Sequence, residues 1–141
     1  IDFGIPMKAA ELGRQQGAGA FMLMSAVGAS ASSSVFYNRV KGELEDGVKA
    51  LAYPHLFIYQ PGLLISDRPE QRLAESMGVK VMPAVNCLLR GPLRRYRGID
   101  AMRVAEAMVN DVVGLAGHQK PGANRVLYRH YDDMVASASS R

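Results

Sequence analysis

The fold of this chain is decided by a short apolar run, Ala20-Phe21-Met22-Leu23-Met24, which follows a glycine-rich turn. A run of this length is typical of a strand that is buried on both faces. Apolar residues then recur at three- and four-residue intervals from Phe36 to Leu51, which predicts an amphipathic helix. A second apolar run, Leu56-Phe57-Ile58-Tyr59, predicts the next strand. Strand, helix and strand in this order indicate parallel strands that are joined by a helical crossover.

The rest of the chain continues the alternation. The further predicted elements are a helix that ends near Gly13, an irregular helical segment around Val81–Leu89, a helix over Asp100–Leu115, a strand at Val126–Tyr128 and a helix over Asp132–Ala138. The predicted fold class is therefore α/β, a doubly wound parallel sheet of three strands with flanking helices. Because three parallel strands leave exposed edges, we expect residues 1–141 to be the C-terminal half of such a sheet. An N-terminal half or a partner chain would complete it.

Composition sets wider bounds. The chain has 141 residues, of which 48% are hydrophobic and 21% charged, values that suit one globular domain. It contains no apolar run long enough to predict a membrane-spanning helix. The single cysteine, Cys87, excludes an internal disulfide framework and suits a reducing compartment, so we expect a cytoplasmic protein, or alternatively a mitochondrial one. The net charge of +4 permits anionic partners such as nucleotides.

The strongest chemical signal is Tyr37, with Lys41 four residues later on the predicted helix. Positions four apart share one face of a helix, so the two side chains are neighbours. A nearby ammonium favours the phenolate form of a tyrosine, which lets the phenol exchange protons with a carbonyl or alcohol oxygen. Tyrosine and lysine also occur at this spacing by chance, and the pair alone does not establish catalysis.

A second signal is Ser25, which follows the first predicted strand and precedes Tyr37 by twelve residues. In an open parallel sheet, ligands bind outside the carboxyl ends of the strands. A serine at that position can hold the carbonyl oxygen that Tyr37 would protonate. The three residues together predict a site for reversible hydride transfer.

Three segments resemble the second half of an atypical short-chain dehydrogenase/reductase, in the branch of the Tat-interacting-protein-like oxidoreductases. These segments are Ser25-Ala26-Val27-Gly28-Ala29, Phe36-Tyr37-Asn38-Arg39-Val40-Lys41-Gly42-Glu43, and Pro61-Gly62-Leu63-Leu64 with Asp67-Arg68. The resemblance extends from about Ile1 to Tyr131, and its most specific part is the block that contains Tyr37 and Lys41. It implies a Rossmann-like fold and a nicotinamide cofactor, NADP or NAD.

The resemblance also implies residue roles. Ser25, Tyr37 and Lys41 match the family's catalytic serine, tyrosine and lysine, and Lys41 would in addition bind the ribose hydroxyls next to the nicotinamide. Pro61 and Gly62 match the segment whose backbone lies beside the nicotinamide. One residue departs from the pattern, because Gln60 stands where an arginine is usual before that proline.

By the same resemblance, the family's first half, with the glycine-rich loop that binds the pyrophosphate, is absent from residues 1–141. The segment Gly13–Gly19 has the glycine spacing of such a loop. However, a pyrophosphate loop must follow a strand and precede a helix, so that the helix N-terminus faces the phosphates. Here the predicted order is helix, glycines and strand, so we interpret the glycines as a helix end and a turn.

The other chemistry-bearing residues give weaker signals. Four arginines lie close to Tyr96 and are typical of either a phosphate-binding patch or a solvated loop; they are Arg90, Arg94, Arg95 and Arg97. We favour the loop and do not expect nucleic-acid binding. The three histidines, His55, His118 and His130, are too far apart in the chain to predict a metal site, and we expect none.

The sequence thus predicts part of an NAD(P)-dependent oxidoreductase, which transfers hydride to or from a small carbonyl or alcohol substrate when its N-terminal half is present. The alternative is a non-catalytic Rossmann-like scaffold or a regulatory subunit in a larger assembly.

Overall fold

The computed structural model describes residues 1–62, 64–65, 87, 90–117 and 124–139. Helices and strands alternate along the chain, as the sequence predicts. In chain order they are α1 (Gly4–Gln15), β1 (Ala20–Met24), α2 (Phe36–Ala50), β2 (His55–Tyr59), β3 (Leu64–Ile65), a 3₁₀ helix (Gly91–Tyr96), β4 (Ile99–Asp100), α3 (Ala101–Gly117), β5 (Arg125–Arg129) and α4 (Tyr131–Ala138).

The main sheet has three parallel strands in the order β1-β2-β5. The centre of β2 pairs on both sides, since Phe57 stands opposite Met22 of β1 and Leu127 of β5. Backbone hydrogen bonds extend the ladder beyond the strands, for example from the Ser25 N–H to the Tyr59 carbonyl at 2.8 Å. A separate parallel pair joins β3 to β4.

The central strand β2 is buried on both faces, so each face needs its own layer of helices. Leu56 and Ile58 pack with Ala10 of α1 and with Leu44 and Val48 of α2. The alternate residues of the strand point to the other face, where the second core is formed by Phe57, Tyr59, Ile99, Val104, Ala107 and Met134. Helices α1 and α2 therefore cover one face of the sheet, and α3 and α4 cover the other.

This architecture confirms the predicted fold class, a Rossmann-like α/β arrangement with a three-stranded parallel sheet and flanking helices. The predicted strand Val126–Tyr128 lies inside β5, and the predicted helix Asp132–Ala138 lies inside α4. Of the helical segment predicted around Val81–Leu89, the structure describes Cys87, which is helical and exposed; the remainder lies outside the described residues. The 3₁₀ helix and the two-residue strands were not predicted.

The glycines between α1 and β1 form a turn. Helix α1 ends at Gln15, Gly17 has a positive φ of 84°, and β1 begins at Ala20. A positive φ favours glycine because other residues meet a steric clash there. The order helix, turn and strand agrees with the interpretation of this segment as a helix end rather than as a pyrophosphate loop.

The start of α2 differs in detail from the prediction. The apolar stripe begins at Phe36, but that side chain is 71% exposed, and the buried part of the stripe starts further along the helix. The structure places Val35 at the N-cap, with no side-chain capping bond. The Ser33 hydroxyl instead accepts the Val35 N–H at 3.2 Å, just outside the helix.

Across the described segments, no helix is both long and apolar enough to cross a membrane.

Candidate active site at the carboxyl ends of two strands

Tyr37 and Lys41 lie on the first two turns of α2 and contact each other. The Lys41 Nζ is 5.7 Å from the centroid of the Tyr37 ring, within the range of a cation–π contact. The Tyr37 side chain is 52% exposed. Lys41 also donates a hydrogen bond of 3.4 Å to the carbonyl of Met24, the last residue of β1. Helix α2 therefore presents both side chains at the carboxyl end of β1.

A close approach of the backbone holds α2 in this place. A Cβ on Gly42 would lie 2.1 Å from the Ser30 carbonyl carbon and 2.2 Å from the Ala31 nitrogen. The loop between β1 and α2 thus packs directly on the helix backbone, and the Ser30 N–H donates to the Asn38 carbonyl at 3.0 Å. This packing explains why a glycine follows Lys41.

Ser25 lies at the end of β1 but is almost fully buried, with 4% of its surface exposed. Its hydroxyl donates to the carboxylate of Glu45 on α2. Tyr37 is exposed on α2, and among the described residues no hydrogen bond joins it to Ser25. Donation from Ser25 to a substrate carbonyl therefore requires its hydroxyl to rotate away from Glu45.

Glu45 is a functional candidate that sequence reasoning missed. It is 4% exposed, and the Gln60 side-chain amide also donates to it, at 2.8 Å. Gln60 follows β2 directly and is the residue that departs from the pattern expected before Pro61. The available signal was the spacing, because Tyr37, Lys41 and Glu45 recur every four residues along one face of α2.

Pro61 and Gly62 lie beside this cluster. The Pro61 carbonyl accepts the Val27 N–H at 3.0 Å, which joins the loop after β2 to the loop after β1. A Cβ on Gly62 would lie 2.6 Å from the Arg97 carbonyl oxygen, so the backbone there is too close for a larger residue. The residues that the sequence singled out thus lie at the carboxyl ends of the two strands: Ser25 follows β1, Pro61 and Gly62 come shortly after β2, and Lys41, with Tyr37 beside it, contacts the end of β1.

A polar cavity of about 250 Å³ adjoins the buried cluster. Its lining includes Glu45, Gln60 and Tyr128 of β5. The Lys49 ammonium contacts Asp46 at 2.6 Å and lies 5.9 Å from the Tyr128 ring centroid. The hydrogen bond that Lys49 donates to Asp46 raises the pKa of Lys49, with a smaller opposing effect of burial. The cavity is therefore lined by groups that donate and accept hydrogen bonds.

A second buried polar cluster lies on the opposite face of the sheet. The Tyr59 hydroxyl donates to Asp111 of α3 at 2.7 Å, and Arg129 of β5 binds the same carboxylate through two contacts of 2.7 and 3.2 Å. Burial raises the pKa of the Tyr59 phenol well above its usual range, and the neighbouring Asp111 adds to the effect. This cluster joins β2, β5 and α3, and sequence reasoning did not find it.

The arginine-rich stretch makes contacts within the chain. Arg94 forms an ion pair with Asp132 of α4 at 2.9 Å, and the Arg97 guanidinium lies 5.9 Å from the Tyr131 ring centroid. The Arg95 guanidinium lies 5.2 Å from the ring centroid of the adjacent Tyr96. These contacts place part of the positive charge against α4. In the described part of the chain, no group of three or more His, Cys, Asp or Glu residues is placed to hold a metal ion.

The chain is similar to proteins named FMP52, mitochondrial. It is 34% identical over 136 residues to "Protein fmp52, mitochondrial" of Aspergillus clavatus, an alignment that covers 96% of this chain and 58% of that protein. The "Protein FMP52, mitochondrial" of Candida albicans is 30% identical over 143 residues, which cover 99% of this chain and 60% of the relative. No family model matches. The chain thus spans somewhat less than two thirds of the length of these relatives.

These relatives correct one prediction. Membership of the Tat-interacting-protein-like branch of short-chain dehydrogenases/reductases is wrong, because the proteins that match nearly the whole chain carry the name FMP52 instead. Their names also describe them as mitochondrial, which agrees with the alternative location rather than with the cytoplasm. The residues that suggested the branch are nevertheless present at the ends of β1 and β2 and on α2.

Proposed function

We propose that this chain supplies the proton-transfer side of an NAD(P)-dependent oxidoreductase that acts on a small carbonyl or alcohol. The observation that carries the proposal is the position of Lys41. Its ammonium lies against the exposed Tyr37 ring and bonds the Met24 carbonyl, where a ligand of a parallel sheet is expected. A phenol and an ammonium at this place are suited to exchange a proton with a substrate oxygen.

The residues at the strand ends fit one end of a dinucleotide. Lys41 bonds a single described carbonyl, at 3.4 Å, so further N–H groups remain for ribose hydroxyls. Pro61 and Gly62 offer backbone at the neighbouring strand end. The cofactor would supply the hydride. Within the described residues the glycines before β1 are not arranged to bind a pyrophosphate, so the chain's own contribution is at the reacting end.

Tyr37, Lys41 and Ser25 have separate roles in the proposed reaction. Tyr37 is the general acid when a carbonyl is reduced and the general base when an alcohol is oxidised. Lys41 places its positive charge beside the Tyr37 ring and holds the ribose. Ser25 orients the substrate oxygen after its hydroxyl turns from Glu45. We also propose that the protein works in mitochondria, as the names of its relatives suggest.

The test is the substitution Lys41→Met in the intact protein, which removes the ammonium but keeps most of the side-chain bulk. Loss of this group weakens general acid–base catalysis, so we expect turnover of NADH or NADPH with a panel of small carbonyls to fall by about 10²-fold or more. Affinity for the dinucleotide, measured by calorimetry, falls as well because a charged hydrogen bond is lost.

The matched control is Lys8→Met, which removes an exposed lysine of α1 that pairs with Glu11 at 3.4 Å. Turnover and dinucleotide affinity should not change in this variant. Tight dinucleotide binding that is unaffected by Lys41→Met, without turnover in either protein, would contradict the proposed function and favour the scaffold alternative.

A further inference from the structure

A buried carboxylate ties α2 to the ends of two strands. The Oε1 atom of Glu45 accepts hydrogen bonds from the Ser25 hydroxyl after β1 and from the Gln60 amide after β2. Glu45, Ser25 and Gln60 are all buried. A buried carboxylate is stabilised by such donors, and the Gln60 amide still bonds it when the Ser25 hydroxyl turns towards a substrate oxygen. The helix therefore cannot slide or rotate over the strand ends without breaking this cluster.

The constraint acts one helical turn from Lys41. Glu45 follows Lys41 by four residues, so the two side chains share a face of α2. Glu45 binds Ser25, and Lys41 binds the carbonyl of Met24, the residue before it. Consecutive turns of α2 are thus joined to consecutive residues at the end of β1. The position of Lys41 therefore depends on the hydrogen bond between Glu45 and Ser25, one helical turn later in the chain.

We propose that Glu45 is a positioning residue that fixes α2, and with it Tyr37 and Lys41, over the carboxyl ends of β1 and β2. The inference rests on the proposed function for its catalytic meaning. The two hydrogen bonds that Glu45 accepts, rather than its negative charge, hold α2 in position. Because both donors reach the same oxygen, an amide oxygen at that place can accept both bonds.

Two substitutions of Glu45 separate the effect of side-chain length from the effect of negative charge. Glu45→Gln removes the charge but keeps an acceptor oxygen at the same distance from the helix. Glu45→Asp keeps the charge but is one methylene shorter, so its oxygens draw back from Ser25 and Gln60. The matched controls are Glu43→Gln and Glu43→Asp, at an exposed position two residues earlier on the same helix.

The first readout is the reactivity of Lys41 in the folded, intact protein. Lysines are acylated briefly with acetic anhydride, and peptide mass spectrometry compares Lys41 with the exposed Lys8 of the same molecule. In Glu45→Asp we expect Lys41 to react about fivefold faster relative to Lys8, as expected when one ordinary hydrogen bond is lost. Glu45→Gln and both Glu43 variants should match the wild type.

The second readout is the split between kcat and KM for a carbonyl substrate of the wild type. In Glu45→Asp, a misplaced Tyr37–Lys41 pair lowers kcat. In the separate variant Glu45→Gln, kcat remains at the wild-type value. The proposal is overturned if Lys41 reactivity does not change in Glu45→Asp, or if Glu45→Gln is as impaired as Glu45→Asp in Lys41 reactivity. Absence of turnover in the wild type overturns the proposed function alone, since the acylation of Lys41 still decides the role of Glu45.

Discussion

At the scale of single residues, Gly42 shows how tightly the site is packed. The backbone of Ser30 and Ala31 occupies the space of a Cβ at this position. Backbone cannot turn aside as a flexible side chain can, so any larger residue must move either the loop or the helix. The residue next to Lys41 therefore controls how α2 meets the loop that follows β1.

We expect Gly42→Ala to lower the free energy of unfolding by about 1–3 kcal/mol, as overpacking does elsewhere. The matched control is Gly114→Ala in α3, where a Cβ would meet no atom of the described residues within 4 Å. That change should instead stabilise the protein by about 0.5–1 kcal/mol, because alanine is the better helix former. Urea denaturation of both variants measures the difference, and a neutral or stabilising Gly42→Ala would contradict the close packing.

Glu45 illustrates what the sequence cannot predict about a site. A glutamate within an amphipathic helix is normally on the solvated face, and its spacing from Tyr37 and Lys41 indicates a shared helix face but not its burial. Its partners, Ser25 and Gln60, follow different strands, and only the tertiary fold brings them together. The Tyr37–Lys41 pair could be predicted because the two residues are only four positions apart on one helix.

At the scale of elements, the Asp111 carboxylate holds three of them together. It accepts the Tyr59 hydroxyl from β2 and two N–H groups of Arg129 from β5, while its own backbone belongs to α3. Arg129 and Asp111 are both largely buried. Without the carboxylate, a guanidinium and a phenol would be left without this acceptor on the α3–α4 side of the sheet.

We expect Asp111→Ala to lower the free energy of unfolding by about 1.5–3 kcal/mol, the range for a hydrogen bond to a charged group. Glu11→Ala breaks the exposed ion pair with Lys8 and should cost about 1 kcal/mol or less. Chemical denaturation at neutral pH compares the two variants. Equal losses would show that the Asp111 cluster contributes no more than a surface pair.

The longer elements were predictable, and the short ones were not. The strands β1, β2 and β5 carry apolar runs bounded by turn residues, and α2 and α3 carry helical periodicity over many residues. The strands β3 and β4 have two residues each, too few for any period to be read. The 3₁₀ helix is rich in arginine and has no buried residue, so no apolar pattern marks it.

At the scale of the whole molecule, buried phenols make the free energy of unfolding vary with pH in the alkaline range. Burial raises the pKa of Tyr59, and it raises the pKa of Tyr53, whose hydroxyl donates to the Ala10 carbonyl at 2.5 Å. In the unfolded chain, both phenols ionise near pH 10. Above that pH, the unfolded state loses protons that the folded state keeps, so the unfolded state is favoured.

We therefore expect the free energy of unfolding to be insensitive to these groups below pH 10 and to fall above it. Each such phenol contributes a slope of about 1.4 kcal/mol per pH unit. Tyr59→Phe should reduce the slope between pH 10 and 11 by about 1 kcal/mol per pH unit, because the unfolded phenol is only partly ionised in that range. Urea denaturation across this range measures the slope, and equal slopes in Tyr59→Phe and the wild type would contradict the role of burial.

The two-sided burial of β2 has a consequence for how the protein can be recombined. Leu56 and Ile58 belong to one core, and Phe57 and Tyr59 belong to the other. In a chimaera that takes α1 and α2 from one relative and α3 and α4 from another, the strand β2 comes from one parent. It therefore matches the helix layer on only one of its two faces. Neither half is therefore an independent module for exchange, and compatible grafts must alter alternate residues of β2 together with the helix layer that each one faces.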